Sequence, residues 1–272
     1  MLTFPNCKIN LGLNITHRRT DGYHDLETIF YPVTGLKDAL EVVLSAESET
    51  KIHLSGKAVA GEPTNNLVWK AFQLISQRFP AQIKPLDIYL HKAIPMGAGI
   101  GGGSADGAFM LRLLNDFFAL KLDNDSLAEL ALQLGSDCPF FIYNTPQFAT
   151  GRGEQMTPIA IDLSGYSMQM ICPDVHINTA KAFSRITPAP APFDLQQLPL
   201  LPITQWKEQL VNDFEAPVFK AHPELGAIKE QLYAGGALYA SMSGSGSTLF
   251  GIFEKGKKAT MQLPTGTAQF YY

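Results

Sequence analysis

Between two apolar stretches the chain runs through Pro95, Met96, Gly97, Ala98, Gly99, Ile100, Gly101, Gly102, Gly103, Ser104 and Ala105. Glycine permits positive φ and lets backbone N–H groups come close to a ligand. The strand-like run Leu86–Ile94 leads into this stretch, and a helix is expected from Ser104 to about Phe118. A helix start offers free N–H groups and the positive end of its dipole. A glycine-rich loop at such a junction is a phosphate site. Ser104 could cap the helix or give its hydroxyl to a phosphate oxygen. A turn without a ligand would have to absorb the chain entropy of five glycines for no return. No lysine closes the run, so GxxxxGK[ST] is not met. HRD and DFG are absent downstream, which excludes a protein-kinase site. Gly97, Gly99 and Gly102 spell GxGxxG, but the acid a dinucleotide fold needs would be Asp123, which lies between two helices.

A second small-residue loop, Ser241-Met242-Ser243-Gly244-Ser245-Gly246-Ser247-Thr248, joins two strand-like runs. It reads as a hairpin turn or as a receiver for an anionic group, with Ser243 and Gly244 at its centre. Near the start, Cys7 to Ile15 alternates apolar odd positions with polar even ones. That is the pattern of a half-buried strand with Lys8, Asn10 and Asn14 on one face.

The elements that would position these groups follow from periodicity. Strands are expected at Thr28–Thr34, Leu40–Leu44, Lys51–Leu54 and Phe140–Tyr143. Leu67, Ala71, Leu74, Ile75 and Phe79 mark one face of a helix over Leu67–Phe79. Ser126-Leu127-Ala128-Glu129 is a capping box for a helix that stops at Gly135. In the second half, Tyr166–Pro173 reads as a strand and Thr179–Ile186 as a helix. The stretch holding Pro188, Pro190, Pro192, Pro199 and Pro202 is expected to be extended and non-helical. Helices around Thr204–Asn212 and Pro223–Tyr233 precede strands Ala237–Met242 and Thr248–Phe253. A short helix and a last strand, Thr267–Tyr272, end the pattern. This order predicts two α+β domains, 1–157 and 158–272.

Composition sets the class. The 272 residues are 46% hydrophobic and 17% charged, so a packed core is expected and wholesale disorder is not. Lys and Arg number 21 against 25 Asp and Glu, a net charge of -4, which gives no basic footprint for nucleic acid. Cys7, Cys138 and Cys172 are few and widely spaced, which argues against disulfides or a zinc site. The N-terminal stretch lacks the pattern of a signal peptide, and no apolar run is long enough to span a bilayer. A soluble cytoplasmic protein with no membrane partner is the expectation.

Three segments together resemble the GHMP kinases, the family of galactokinase, homoserine kinase, mevalonate kinase and phosphomevalonate kinase. They are Pro5-Asn6-Cys7-Lys8-Ile9-Asn10-Leu11, the Pro95–Ala105 loop with Asp106-Gly107-Ala108, and Ser241–Phe250. Asp21-Gly22-Tyr23-His24, Gly135-Ser136-Asp137-Cys138-Pro139-Phe140 and Gly151-Arg152-Gly153-Glu154 point to one branch. Its acceptor is diphosphocytidyl-methylerythritol, and it serves the non-mevalonate route to isoprenoids. The resemblance implies an S5-like N-terminal domain carrying ATP and a ferredoxin-like C-terminal domain completing the acceptor site. It implies ATP with Mg²⁺, Asp137 and Lys8 as catalytic residues, and a loop from Pro95 to Ala105 around the phosphates. Asn66 matches a segment near the nucleotide pocket. Asn10, Tyr23, His24, Thr179, Phe183, Ser243 and Gly244 fall on acceptor positions, with no separate metal ligand. A monomer or weak homodimer is expected.

Cys7 stands where the family commonly has alanine and is expected to be a buried, inert thiol. Ala98 replaces a frequent glycine. Asp106 is expected to point away from the phosphates or to meet a metal. A sibling kinase of the homoserine or mevalonate type, or a non-catalytic sensor on the same fold, stays open at this level.

Overall fold

The computed structural model describes residues 1–58 and 63–272. In chain order the strands and helices are β1 (Leu2–Thr3), β2 (Asn6–Arg18), β3 (His24–Lys37), β4 (Ala39–Leu44), β5 (Lys51–Gly56), α1 (Leu67–Arg78), β6 (Leu86–Lys92), α2 (Gly102–Phe117), α3 (Asn124–Leu134), α4 (Cys138–Tyr143), β7 (Gln147–Thr150), β8 (Gln155–Pro158), β9 (Tyr166–Cys172), α5 (Thr179–Phe183), α6 (Trp206–Gln209), α7 (Glu215–Ala221), α8 (Pro223–Ala234), β10 (Tyr239–Met242), β11 (Leu249–Glu254) and β12 (Ala268–Tyr271). Helix and strand mix throughout, as the α+β expectation requires. Among the described residues no helix is long and apolar enough to cross a membrane.

The chain forms two compact units. The first holds Met1–Cys7, Pro32–Met96 and Gly101–Thr145. Its sheet runs β1-β4-β6-β5. β5 and β6 are parallel, joined through α1, while β4 pairs with β6 antiparallel. α1 begins where the Asn66 side chain accepts the Val68 N–H at 2.9 Å, an ordinary N-cap. α2 is the central helix of this unit, packed by α1, α3 and α4. Its buried face includes Ala105, Ala108, Met110, Leu111 and Leu114.

The second unit holds Lys8–Tyr31, Gly97–Ile100 and Pro146–Tyr272. One sheet runs β10-β11-β9-β12, all antiparallel. Another runs β2-β3-β7-β8. Its core joins Leu13 and Ile15 of β2 to Ile171, Ala182, Phe214, Leu225, Ile228, Leu232, Met242 and Leu249.

Five local expectations need correction. Phe140–Tyr143 is not a strand but the body of α4, because Pro139 suits a helix's first turn and the apolar run is buried against α2 and α3. α3 is capped by Asp123, whose carboxylate accepts the Ser126 N–H at 2.8 Å, so Ser126 lies inside the helix. The proline-rich connection contains 3-10 turns at Leu195–Leu200 and Ile203–Gln205. Asp194 caps the first turn, and Leu195 and Leu198 anchor it. The short helix expected after Phe253 does not form; Gln169 instead holds Ala259 through both its backbone groups, at 2.9 and 3.2 Å. β2 is buried on both faces from Asn6 to Asn14 rather than on one. The β7–β8 hairpin and α7 were not anticipated.

Candidate active site

The polar face of β2 is enclosed by hydrogen-bonding partners. Lys8 is 3% exposed and Asn10 1%. The Lys8 ammonium donates to Asn10 Oδ1 at 2.7 Å and lies 4.8 Å over the Phe30 ring. Asn10 Nδ2 donates to Thr28 Oγ1 at 2.9 Å, and that hydroxyl donates to Gly12 O at 2.6 Å. The network fixes which way the Asn10 amide faces and so where the ammonium sits. Thr28 escaped the sequence reading; its only signal was a polar residue facing a polar strand. Cys7 is fully buried, its Sγ 3.7 Å from Val33 O, which agrees with an inert thiol.

The glycine-rich loop of residues 97–103 is held by its carbonyls. Thr248 N donates to Ala98 O at 3.1 Å, Ser243 Oγ to Gly99 O at 2.9 Å and Lys8 N to Ile100 O at 3.0 Å. A trans peptide is planar, with N–H and C=O on opposite edges. Three successive carbonyls turned into the protein therefore turn the N–H groups of Gly99, Ile100 and Gly101 outward. Gly97, Gly99 and Gly101 take φ of +66, +77 and +71°, the left-handed region this path needs. α2 then starts at Gly102 with Gly101 as its cap, so Ser104 belongs to the first turn and is not the cap. The first N–H groups of α2 have no intrahelical acceptor.

The second loop acts as the first one's support. Its hydroxyls are engaged within the protein: Ser241 with Glu215 at 2.9 Å, Ser243 with Gly99 O, Ser245 with Thr179 at 3.1 Å and Ser247 with Pro173 O at 3.3 Å. Asn212 adds two bonds, to Met242 O at 2.7 Å and Gly244 O at 3.0 Å. This buried amide was missed, because an Asn-Asp pair in a loop reads as an ordinary turn.

The other expected residues take these places. Asp137 precedes α4 as its N-cap residue, where the dipole favours negative charge. Burial pushes the adjoining Cys138 thiol up to about 12, so it is no nucleophile. Asp106 turns into the protein, where it is buried and bonded to Lys92 at 2.6 Å rather than to a metal. Among the described residues no group of three or more His, Cys, Asp or Glu could hold a metal ion.

Tyr23 is 54% exposed, and the Arg152 guanidinium lies 4.1 Å from its ring centroid. His24 stacks on Phe183 at 5.0 Å with 20° between planes, and Phe214 meets Phe183 edge-on at 4.8 Å. Burial, then the nearby Arg18 charge, pulls the His24 pKa down, which favours a neutral imidazole. The turn that presents Tyr23 and His24 is closed by Tyr23 N donating to Asp21 Oδ1 at 3.0 Å. The structure thus brings together Lys8, Asn10, Ser243 and Gly99 in one cluster, and Tyr23, His24, Phe183 and Arg152 in the same unit.

Comparison with known proteins bears on what this arrangement serves. Residues 66–145 match the family model of the GHMP kinases N terminal domain, and residues 203–262 that of GHMP kinases C terminal. A 4-diphosphocytidyl-2-C-methyl-D-erythritol kinase of Bacteroides fragilis is 51% identical over 262 residues, covering 96% of this chain and 94% of that protein. The enzyme of the same description from Azobacteroides pseudotrichonymphae is 46% identical, over 99% of this chain and 98% of its own. A crystal structure of 4-(cytidine 5'-diphospho)-2C-methyl-D-erythritol kinase superposes with a TM-score of 0.75 at 32% identity, covering 93% of this chain and 90% of that one. The mevalonate kinase of Methanococcus jannaschii shares the fold, with a TM-score of 0.74 at 13% identity over 100% of this chain and 97% of its own.

Proposed function

The chain belongs to the GHMP kinases, and from that premise we infer that it transfers the γ-phosphoryl group of ATP to the 2-hydroxyl of 4-diphosphocytidyl-2-C-methyl-D-erythritol. This is a step of non-mevalonate isoprenoid precursor synthesis. The activity class rests on the relatives, and the geometry supplies the means. The observation that carries the reading is the 3.0 Å bond from Lys8 N to Ile100 O. It fixes the strand bearing the lysine to the loop that turns its N–H groups outward.

In this reading ATP lays its phosphates on the N–H row from Gly99 into α2, within the Pro95–Ala105 loop. Asn66 spends its side-chain oxygen on the α1 cap, which leaves its amide NH₂ for the nucleotide. Asp137 accepts the acceptor's hydroxyl proton as the new O–P bond forms and the bond to the ADP oxygen breaks. Lys8 stabilises charge on the reacting oxygens, and Asn10 holds Lys8 in place. In a loose phosphoryl-transfer transition state, positioning contributes as much as deprotonation. Mg²⁺ carried in with the nucleotide would offset charge on the transferring phosphates. The cytosine joins the aromatic group of Tyr23, His24 and Phe183, with neutral His24 available to pair with the base edge. Thr179 lies on the acceptor side, while Ser243 and Gly244, buried in the second loop, serve the acceptor site from behind by holding Gly99. Residues 1–157 serve mainly the nucleotide and 158–272 mainly the acceptor. We expect a cytoplasmic monomer or weak homodimer that binds neither nucleic acid nor membrane.

Asp137→Asn should lower kcat by about 10²–10⁴-fold, the usual share of a general base, with ATP binding largely retained. Lys8→Ala should also act on kcat. Stopped assays of ADP release beside calorimetric ATP titration test both. Near-wild-type turnover in either variant would contradict the roles.

A further inference from the structure

At the two ends of the glycine-rich loop, in the unit that holds α2, lies a buried charged cluster that the proposed chemistry does not use. Lys92, the last residue of β6, is fully buried between two carboxyl groups. Its ammonium donates to Asp38, at the β3–β4 junction, and to Asp106 Oδ2 of α2 at 2.6 Å. Asp38 Oδ1 accepts the N–H groups of Ala93 at 2.6 Å and Ile94 at 2.9 Å. Ala93 and Ile94 immediately precede Pro95, where the loop begins. Asp106 immediately follows Ala105, where it ends. The cluster thus grips both ends of the loop.

A buried lysine with two carboxyls is costly unless its groups are matched in charge and hydrogen bonding. Burial foremost, with Asp38 adding to it and Lys92 opposing, pushes the Asp106 carboxyl up to about 8. This biases Asp106 toward its neutral, protonated form. Asp106 Oδ1 is buried with no hydrogen-bond partner among the described residues, and an unpaired buried oxygen costs less in a neutral acid than in a carboxylate. The cluster also sits tight against the loop. A Cβ on Gly102 would come within 2.7 Å of Ile94 Cγ2 and 3.5 Å of Lys92 Nζ.

We propose that Asp38, Lys92 and Asp106 form a charged staple that closes the neck of the phosphate loop, and that Asp106 and Lys92 are positioning residues for ATP. The staple acts through loop shape: joining the two ends sets where the N–H groups of Gly99 to Gly103 point. Misplacing such donors by a fraction of an ångström is enough to weaken a phosphate contact. This rests on the nucleotide reading of the loop, so its test reads ATP binding directly, without the acceptor.

The full-length protein is titrated with Mg²⁺·ATP by calorimetry as wild type, Asp106→Ala and Asp106→Asn. Asp106→Ala removes the α2 end of the staple while leaving the Lys92–Asp38 pair intact. It should weaken ATP binding about tenfold or more, with the acceptor KM within about twofold of wild type. Asp106→Asn keeps an oxygen for Lys92 and mimics the neutral acid, so it should restore the affinity to within about twofold. A folded Asp106→Ala protein with wild-type ATP affinity would overturn the proposal. So would equal losses for ATP and acceptor, or an Asn variant as weak as Ala.

If Asp106→Ala does not fold, Asp106→Ser supplies the same test, since its hydroxyl is too short to take the place of the carboxyl oxygen on Lys92. It should weaken ATP binding about tenfold or more relative to Asp106→Asn. Equal ATP affinities for the Ser and Asn variants would overturn the proposal. A wild type that binds ATP but does not phosphorylate the acceptor would refute the acceptor reading and leave the staple standing. A wild type that fails to bind ATP would refute both.

Discussion

The two glycine-rich loops look alike as sequence, yet they divide the labour between them. In the first, Gly97 to Gly103 lead into α2, and the glycine at 103 has no atom within 4 Å of where a Cβ would stand. In the second, a Cβ on Gly244 would lie 2.9 Å from Gly99 O, and one on Gly246 2.7 Å from Met242 Sδ. The first loop has an open glycine at Gly103 and one, Gly99, that lets the second loop's backbone come close. The second loop has no such open position: Gly244 meets the backbone of Gly99, Gly246 meets Met242, and its hydroxyls are bonded within the protein. A run of glycine and serine therefore does not by itself mark a ligand site; what matters is which edge of each peptide is already bonded.

The contact between the loops is the place to break this account with the largest effect. Gly99 has φ +77°, and a Cβ there would fall 2.2 Å from Ser243 O and 2.9 Å from Gly246 O, both backbone atoms that cannot swing aside. Gly99→Ala should cost at least ~2 kcal/mol of stability in urea unfolding and abolish ATP binding as well. A variant with unchanged stability would mean that the loops do not lean on each other.

If the second loop is a support, recognition of the base must come from elsewhere, and the His24–Phe183 stack is the candidate. Phe183→Ala should raise the KM for the diphosphocytidyl acceptor by roughly 5- to 150-fold, the equivalent of about 1–3 kcal/mol for a base–aromatic stack. His24→Ala should act in the same direction, and the KM for ATP should stay near wild type in both. Equal loss for the two substrates would misplace the cytidine pocket.

Gly103→Ala sharpens the comparison more gently. The new methyl group enters open space, so the melting temperature should hold. It stands at the mouth of the N–H row, and ATP affinity should fall a few-fold, roughly 3- to 10-fold. Gly102 is the wrong place for this test, since a side chain there strikes Ile94 before it reaches any phosphate.

The smallest expected effect is on the pH dependence of stability. Asp106 has a folded pKa, about 8, above its unfolded value near 3.8. The folded state therefore holds the extra proton, and this group's contribution is complete below about pH 4 and fades as pH rises through 8. Between ~pH 7 and ~pH 9 only the tail of that loss remains, so wild type should lose a few degrees relative to Asp106→Asn. Parallel melting curves would contradict a raised Asp106.

Much of this was legible in the sequence, for reasons that can be named. Alternation placed Lys8 and Asn10 on one face of β2, and the glycine density between β6 and α2 marked the loop whose carbonyls are bonded within the protein. Periodicity located α1 and α2 to within a few residues. Long-range pairing was not legible. Nothing local says that Lys92 meets Asp38 and Asp106, that Ser243 holds Gly99 O, or that the polar face of β2 is buried. Phe140-Phe141-Ile142-Tyr143 favours strand by propensity, yet tertiary burial and Pro139 make it a helix. Asn212 shows the same limit, because its two carbonyl partners lie some thirty residues away.

The central claim is the acceptor, and one assay addresses it directly. The purified protein with Mg²⁺·ATP is followed for ADP release with 4-diphosphocytidyl-2-C-methyl-D-erythritol, and in parallel with homoserine, mevalonate and galactose. The account predicts turnover with the diphosphocytidyl compound alone, and phosphate appearing on its 2-hydroxyl. Equal or faster ADP release with homoserine, mevalonate or galactose, or none with the diphosphocytidyl compound, would contradict it.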